Sequence, residues 1–228
     1  MDNTRTPVLY IVGNYNIDLV MGTLTHWPAQ GTEMMLEHSA LRPGGSAGNC
    51  ALAAAAMQLP HCAVGCQGDD AFTPWLAAQF PGGSARWPQY PCETSLTVAI
   101  THPNKERSFL SNHGHITRLT AGDVLSQLPA AAGEGDIVLL CGTFLCTGLL
   151  SDYPQLLATL RQRGFTLAVD TGWPPQGWSD PLRHEVDRWL GDCDWLLLND
   201  VETLQLAGHP TLAEAAAALA ARLSGRGG

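Results

Sequence analysis

Continuous apolar runs that break off into polar residues recur along this chain. The first, Val8-Leu9-Tyr10-Ile11-Val12-Gly13, has the character of a parallel strand buried on both faces. Asp136-Ile137-Val138-Leu139-Leu140-Cys141-Gly142, Phe165-Thr166-Leu167-Ala168-Val169-Asp170 and Asp194-Trp195-Leu196-Leu197-Leu198 read the same way. Between them the pattern predicts helices near Ser151 to Arg163 and Pro181 to Leu190, then an alanine-rich helix from Thr211 to Leu223. Strands alternating with helices imply parallel pairing with helices on both faces, an α/β fold. Two stretches depart from this rhythm. Residues 17–41 and 94–112 contain short alternating strands, among them Ser95-Leu96-Thr97-Val98-Ala99-Ile100 and Arg107-Ser108-Phe109-Leu110.

Candidate chemistry sits where the apolar runs end. After the first strand, Asn14-Tyr15-Asn16-Ile17-Asp18 places Asn16 and Asp18 two apart, so in extended chain both leave the same face, at the edge where open α/β sheets bind ligands. Further on, Gly44-Gly45-Ser46-Ala47-Gly48-Asn49 runs into an alanine-rich helix. Paired glycines let a ligand approach the backbone, the helix start offers unpaired N–H groups, and Asn49 adds an amide that donates and accepts. Alternatively, the segment is a plain loop-to-helix turn. At the last strand's exit, Asn199 or Asp200 starts a helix through Val201-Glu202-Thr203-Leu204-Gln205-Leu206 that Gly208 and Pro210 stop.

Composition narrows the field. The 228 residues, 45% hydrophobic, suffice for one α/β core. A formal net charge of −9 with a single lysine, Lys105, argues against nucleic acid or an anionic membrane surface as partner. That lysine is outside any Gly-x-x-x-x-Gly-Lys-Ser/Thr setting, which excludes a Walker-type phosphate loop. With no apolar stretch of membrane-spanning length and no signal-peptide pattern, the cytoplasm is the expected location. Seven cysteines without a Cys-x-x-Cys pair read as reduced core residues rather than a zinc site. His113-Gly114-His115 reads as a strand facing solvent or substrate.

Several landmarks occur in a recognisable order: Gly13-Asn14-Tyr15-Asn16-Ile17-Asp18, Pro28-Ala29-Gln30-Gly31, Gly44-Gly45-Ser46-Ala47-Gly48-Asn49, Val64-Gly65-Cys66-Gln67-Gly68-Asp69-Asp70 and Asn199-Asp200-Val201-Glu202. Together they resemble the ribokinase-like carbohydrate kinases of the PfkB family. The resemblance implies a mostly parallel sheet flanked by helices, with residues 17–41 and 94–112 forming a small β-sheet lid that can also carry a homodimer contact. It implies ATP-dependent transfer of a phosphoryl group to a hydroxyl of a sugar or nucleoside. Asn16, Asp18, Gly44, Gly45 and Asn49 would bind the substrate, with Phe109, Asn112 and His113 facing it from the lid. Asn199 and Asp170 would lie near the nucleotide phosphates, and Glu202 would organise Mg2+, a cation that keeps much of its water.

The family's Gly-Ala-Gly-Asp, which supplies an anion hole and the catalytic base, does not occur in these residues. Accordingly the 228 residues are expected to be an incomplete domain, its C-terminal portion missing, that binds sugar with impaired phosphoryl transfer and exposes Leu212, Leu219 and Leu223. Gly172, where relatives often carry asparagine after the aspartate, also leaves the nucleotide side incomplete. A non-catalytic sugar-binding or regulatory protein is the other reading.

Overall fold

A computed structural model describes residues 5–225. The chain runs through β1 (Leu9–Gly13), β2 (Asn16–Gly22), β3 (His38–Gly44), α1 (Ser46–Ala56), β4 (His61–Val64), α2 (Thr73–Ala78), β5 (Leu96–Thr101), β6 (Arg107–Ser111) and α3 (Ala121–Gln127). It continues through β7 (Ile137–Cys141), α4 (Thr147–Leu150), α5 (Tyr153–Gln162), β8 (Thr166–Asp170), α6 (Asp180–Leu190), β9 (Trp195–Leu196), α7 (Asp200–Ala207) and α8 (Leu212–Ala220).

Five strands form one parallel sheet in the order β4-β1-β7-β8-β9. Burial on both faces explains the unbroken apolar runs. On β1, Tyr10 and Val12 enter one core cluster with Leu156, Phe165 and Trp189, while Ile11 enters the other with Ala47, Ala51 and Phe80. The small alanines of α1 let that helix pack close to the sheet. A second, mixed sheet has the order β3-β2-β5-β6 and grows directly from the end of β1.

Successive strands lie on opposite sides of β1, with β4 to one side and β7 to the other. The crevice at the carboxyl ends of β1 and β7 is therefore the switch point at which such sheets take ligands. Gly13 and Cys141 are paired there, and Asn14 and Gly142 follow them.

Three sequence expectations fail locally. His113-Gly114-His115 is not a strand: Gly114 has φ +48 and leads into a 3-10 turn over His115–Arg118, with His115 fully buried. The run at Asp194 to Leu198 yields only a two-residue strand, with Trp195 44% and Leu197 46% exposed, because β9 pairs with β8 alone among the described residues. Leu219 is in the core, whereas Leu212 is exposed. No helix among the described residues is long and apolar enough to cross a membrane.

Candidate functional site

Where the chain passes from β1 of the large sheet into β2 of the small one, every second side chain is polar, and each is tied to the next. Asn14 Nδ2 donates to Asn16 Oδ1 at 3.4 Å, and Asn16 Nδ2 donates to Asp18 Oδ1 at 2.8 Å. The three residues are spaced by two, and three glycines give their side chains room. A Cβ on Gly44 would stand 2.3 Å from the Asp18 carboxylate, one on Gly45 2.5 Å from Asn16 Oδ1, and one on Gly142 2.2 Å from Asn14 Oδ1. The diglycine is thus more than a turn: it brings the backbone of β3 and α1 against two polar side chains.

Asp18 is partly buried. Loss of water raises its carboxyl above the usual range, while the Asn16 hydrogen bond and the charge of Arg107 oppose the rise. In register across the small sheet, Arg42, Asp18, Thr97 and Ser111 form one row on β3, β2, β5 and β6. Thr97 and Ser111 share a hydroxyl hydrogen bond of 2.8 Å. A cavity of about 190 Å³ opens beside this row, with Asn16, Ser95, Thr97, Ser111, Asn112 and His113 on its polar side and Ile116, Phe144, Leu145 and Pro175 on its apolar side; Asp18, Gly44, Gly45 and Asn49 are not part of its lining. The lining includes neither lysine nor arginine.

Gly45 caps α1 with φ +88 and no side-chain cap, leaving the helix start to its backbone N–H groups. Asn49 is exposed one turn into this helix, its N–H bonded to Gly45 O at 2.8 Å. Asn112 reaches the cavity, but its amide is already engaged: Oδ1 accepts Leu96 N–H at 2.7 Å and Nδ2 donates to Thr94 O at 3.1 Å. Phe109 is 60% exposed with Arg107 over its ring, two positions along β6 from Ser111 and on the same face. It does not line the cavity.

A second polar group lies at the ends of β8 and β9. Burial raises the Asp170 carboxyl; the Gly172 N–H opposes this and the negative charge of Glu202 adds to it. Asn199 is the N-cap of α7 in a reciprocal capping box: Asn199 Oδ1 accepts Glu202 N–H at 2.9 Å and Glu202 accepts Asn199 N–H at 3.1 Å. Asp170 and Glu202 are hard oxygen donors of the type magnesium takes, and two carboxylates match its preference for retaining water. Among the described residues no group of three or more His, Cys, Asp or Glu could hold a metal ion. Asp123, in Ala121-Gly122-Asp123, serves the capping box of α3, accepting from Thr120 N–H and Oγ1, and also accepts from the Tyr90 hydroxyl.

Sequence reasoning missed Asn14, although its period-two spacing with Asn16 and Asp18 was a usable signal. It also missed His115, which locks the small sheet to the large one. His115 Nδ1 accepts Ser95 N–H at 3.0 Å, so Nε2 carries the proton and donates to Tyr15 O, also at 3.0 Å. Burial pushes its pKa from 6.5 down to about 4. The unfolded chain therefore binds the extra proton first, and the His115 contribution, complete above pH 6.5, is lost as pH falls towards 4. At full extent this amounts to about 3 kcal/mol. Denaturant unfolding of wild type and His115→Gln at pH 7 and pH 4.5 should show a smaller acid loss in the variant. Equal losses would mean that His115 does not titrate as its burial requires.

A sequence model described as pfkB family carbohydrate kinase matches residues 8–225. No curated protein matches the chain. Among solved structures, the Arabidopsis thaliana ribokinase complexed with ribose and ATP superposes with a TM-score of 0.71 at 18% identity, covering 96% of this chain and 70% of that one. Fructokinase from Xylella fastidiosa gives 0.73 at 17%, covering 94% and 69%, and ribokinase from Thermotoga maritima 0.68 at 19%, covering 96% and 69%. These likenesses establish the ribokinase-like fold, and the chain spans about 70% of the length of the matched structures.

Proposed function

This chain belongs to the pfkB family of carbohydrate kinases, and on that premise we propose that it holds the sugar-binding part of an ATP-dependent kinase. The acceptor is an unphosphorylated sugar or nucleoside, bound between the small sheet and the start of α1. The observation that carries this reading is the Asp18 carboxylate, partly buried, held by Asn16 and set against Gly44; Asn16 in turn lines the adjoining cavity with the hydroxyls of Ser95, Thr97 and Ser111 opposite an apolar wall of Ile116, Phe144, Leu145 and Pro175. An ionised carboxylate only accepts, so it pairs with donor hydroxyls and repels a phosphate. Backbone N–H groups of the diglycine turn and the Asn49 amide would close the other side, with Asn112 and His113, just after β6, lining the cavity and Phe109 on β6 reaching the sugar from the rim.

The nucleotide would lie along the ends of β8 and β9. Asn199 and Asp170 would sit near its phosphates, and Asp170 and Glu202 would hold Mg2+ through water. Magnesium there would neutralise charge on the transferring phosphoryl group. The small sheet, segments 17–41 and 94–112, would act as a lid that keeps water from competing with the acceptor hydroxyl. Its outer face carries exposed Leu41 and Leu110, which a second copy of the chain would cover. No residue here is assigned as the base.

Titration calorimetry with D-ribose, D-fructose, adenosine and D-fructose 6-phosphate tests this reading. At least one of the three unphosphorylated compounds should bind and the phosphate ester should not. Binding of the ester alone, or of none, would contradict it.

A further inference from the structure

The chain of hydrogen bonds from Asn14 through Asn16 to Asp18 has a direction. When ionised, Asp18 has only acceptors, so the amide nitrogen of Asn16 must face it and the Asn16 oxygen must face Asn14. The nitrogen of Asn14 must then point to Asn16, which turns the Asn14 oxygen the other way. Asn14 is 3% exposed, and its Oδ1 is buried with no hydrogen-bond partner, beside the bare Cα of Gly142 at the sheet's switch point. An unsatisfied buried acceptor costs on the order of 1–3 kcal/mol, and a leucine of similar size would avoid that cost. Stability therefore gives no reason for an amide here; its hold on Asn16 does.

We propose that Asn14 is a positioning residue of the sugar site, fixing through Asn16 the direction in which Asp18 presents its carboxylate. The proposal rests on the reading of Asp18 as the sugar-binding group. Each member of the series lies against its own glycine, Asp18 on Gly44, Asn16 on Gly45 and Asn14 on Gly142, so none can swing aside without losing that fit. The donor from Asn14 polarises the Asn16 amide and makes its N–H a better donor to Asp18. Other groups also face Asp18: Arg42 on β3 and Thr97 on β5 lie in register with it, and Arg107 on β6 attracts its charge. These remain in place when Asn14 is replaced.

The test follows the Asp18 carboxyl by carbon-13 NMR through a pH titration, in wild type and Asn14→Leu, with D-ribose and D-fructose affinities measured on the same samples. Loss of the donor should raise the Asp18 pKa by about half a unit or more and weaken sugar binding about fivefold. Asn14→Ala removes the same donor without bulk and serves if the leucine variant does not fold. An Asp18 pKa within about 0.2 unit of wild type overturns the proposal whatever the sugars do. So does a raised pKa with unchanged affinity. Should wild type bind neither sugar while the pKa still rises, the sugar reading fails for these two compounds and the ordering of Asp18 by Asn14 stands.

Discussion

Gly45→Ala is expected to lower stability by about 3 kcal/mol or more and to abolish sugar binding. Gly45 combines two demands that alanine cannot meet. Its φ of +88 is a conformation that side chains rarely adopt, and a Cβ would stand 2.2 Å from Asn14 O and 2.5 Å from Asn16 Oδ1. The first contact is with backbone, which cannot rotate away. For a chain of this size the loss corresponds to a fall in melting temperature of roughly 6–12 °C. Gly177→Ala is the control: φ is +73 but nothing lies within 4 Å of the added Cβ, so it reports conformational strain alone, about 1 kcal/mol. If the two variants melted together, Gly45 would be a turn glycine and no more.

Asp18→Ala should weaken sugar binding at least tenfold while leaving the fold intact. A charged hydrogen bond is worth about 1.5–3 kcal/mol, and a carboxylate that accepts from two hydroxyls can form two such bonds. The fold should tolerate the loss because burial already disfavours the ionised carboxyl in the free protein. Asp18→Asn should fall between the two, since an amide keeps one acceptor and loses the charge. Calorimetry with the sugar that binds wild type best reads all three proteins. Unchanged affinity in Asp18→Ala would remove Asp18 from the site.

The α/β class and the polar strand exit were legible because they follow from local pattern. A strand buried on both faces must be apolar throughout, as β1, β7 and β8 are, and the residue that follows it must then meet the ligand edge. The run at Trp195 misled for the same reason: Leu196, Leu197 and Leu198 look like a central strand, but only pairing decides which residues are covered, and among the described residues β9 has one neighbour. His115 was illegible because its role depends on Ser95 and Tyr15, 20 and 100 residues away. The place of Asn112 in the cavity lining could not be read with its second role, since its amide also completes the backbone bonding of Thr94 and Leu96. The row Asp18, Thr97, Ser111 arises from strand register, which short alternating segments do not specify by themselves.

The most direct test of the central claim is to map amide shifts by proton–nitrogen NMR while titrating in whichever of D-ribose, D-fructose or adenosine binds. Changes are expected to concentrate at Asn16, Asp18, Gly44, Gly45, Ser46, Asn49, Thr97 and Ser111, with the Asn199–Glu202 cap unaffected until nucleotide is added. Changes centred instead on the groove between α4 and α6, lined by Thr147, Leu150, Leu182 and Glu185, with the Gly44–Asn49 amides still, would overturn the assignment.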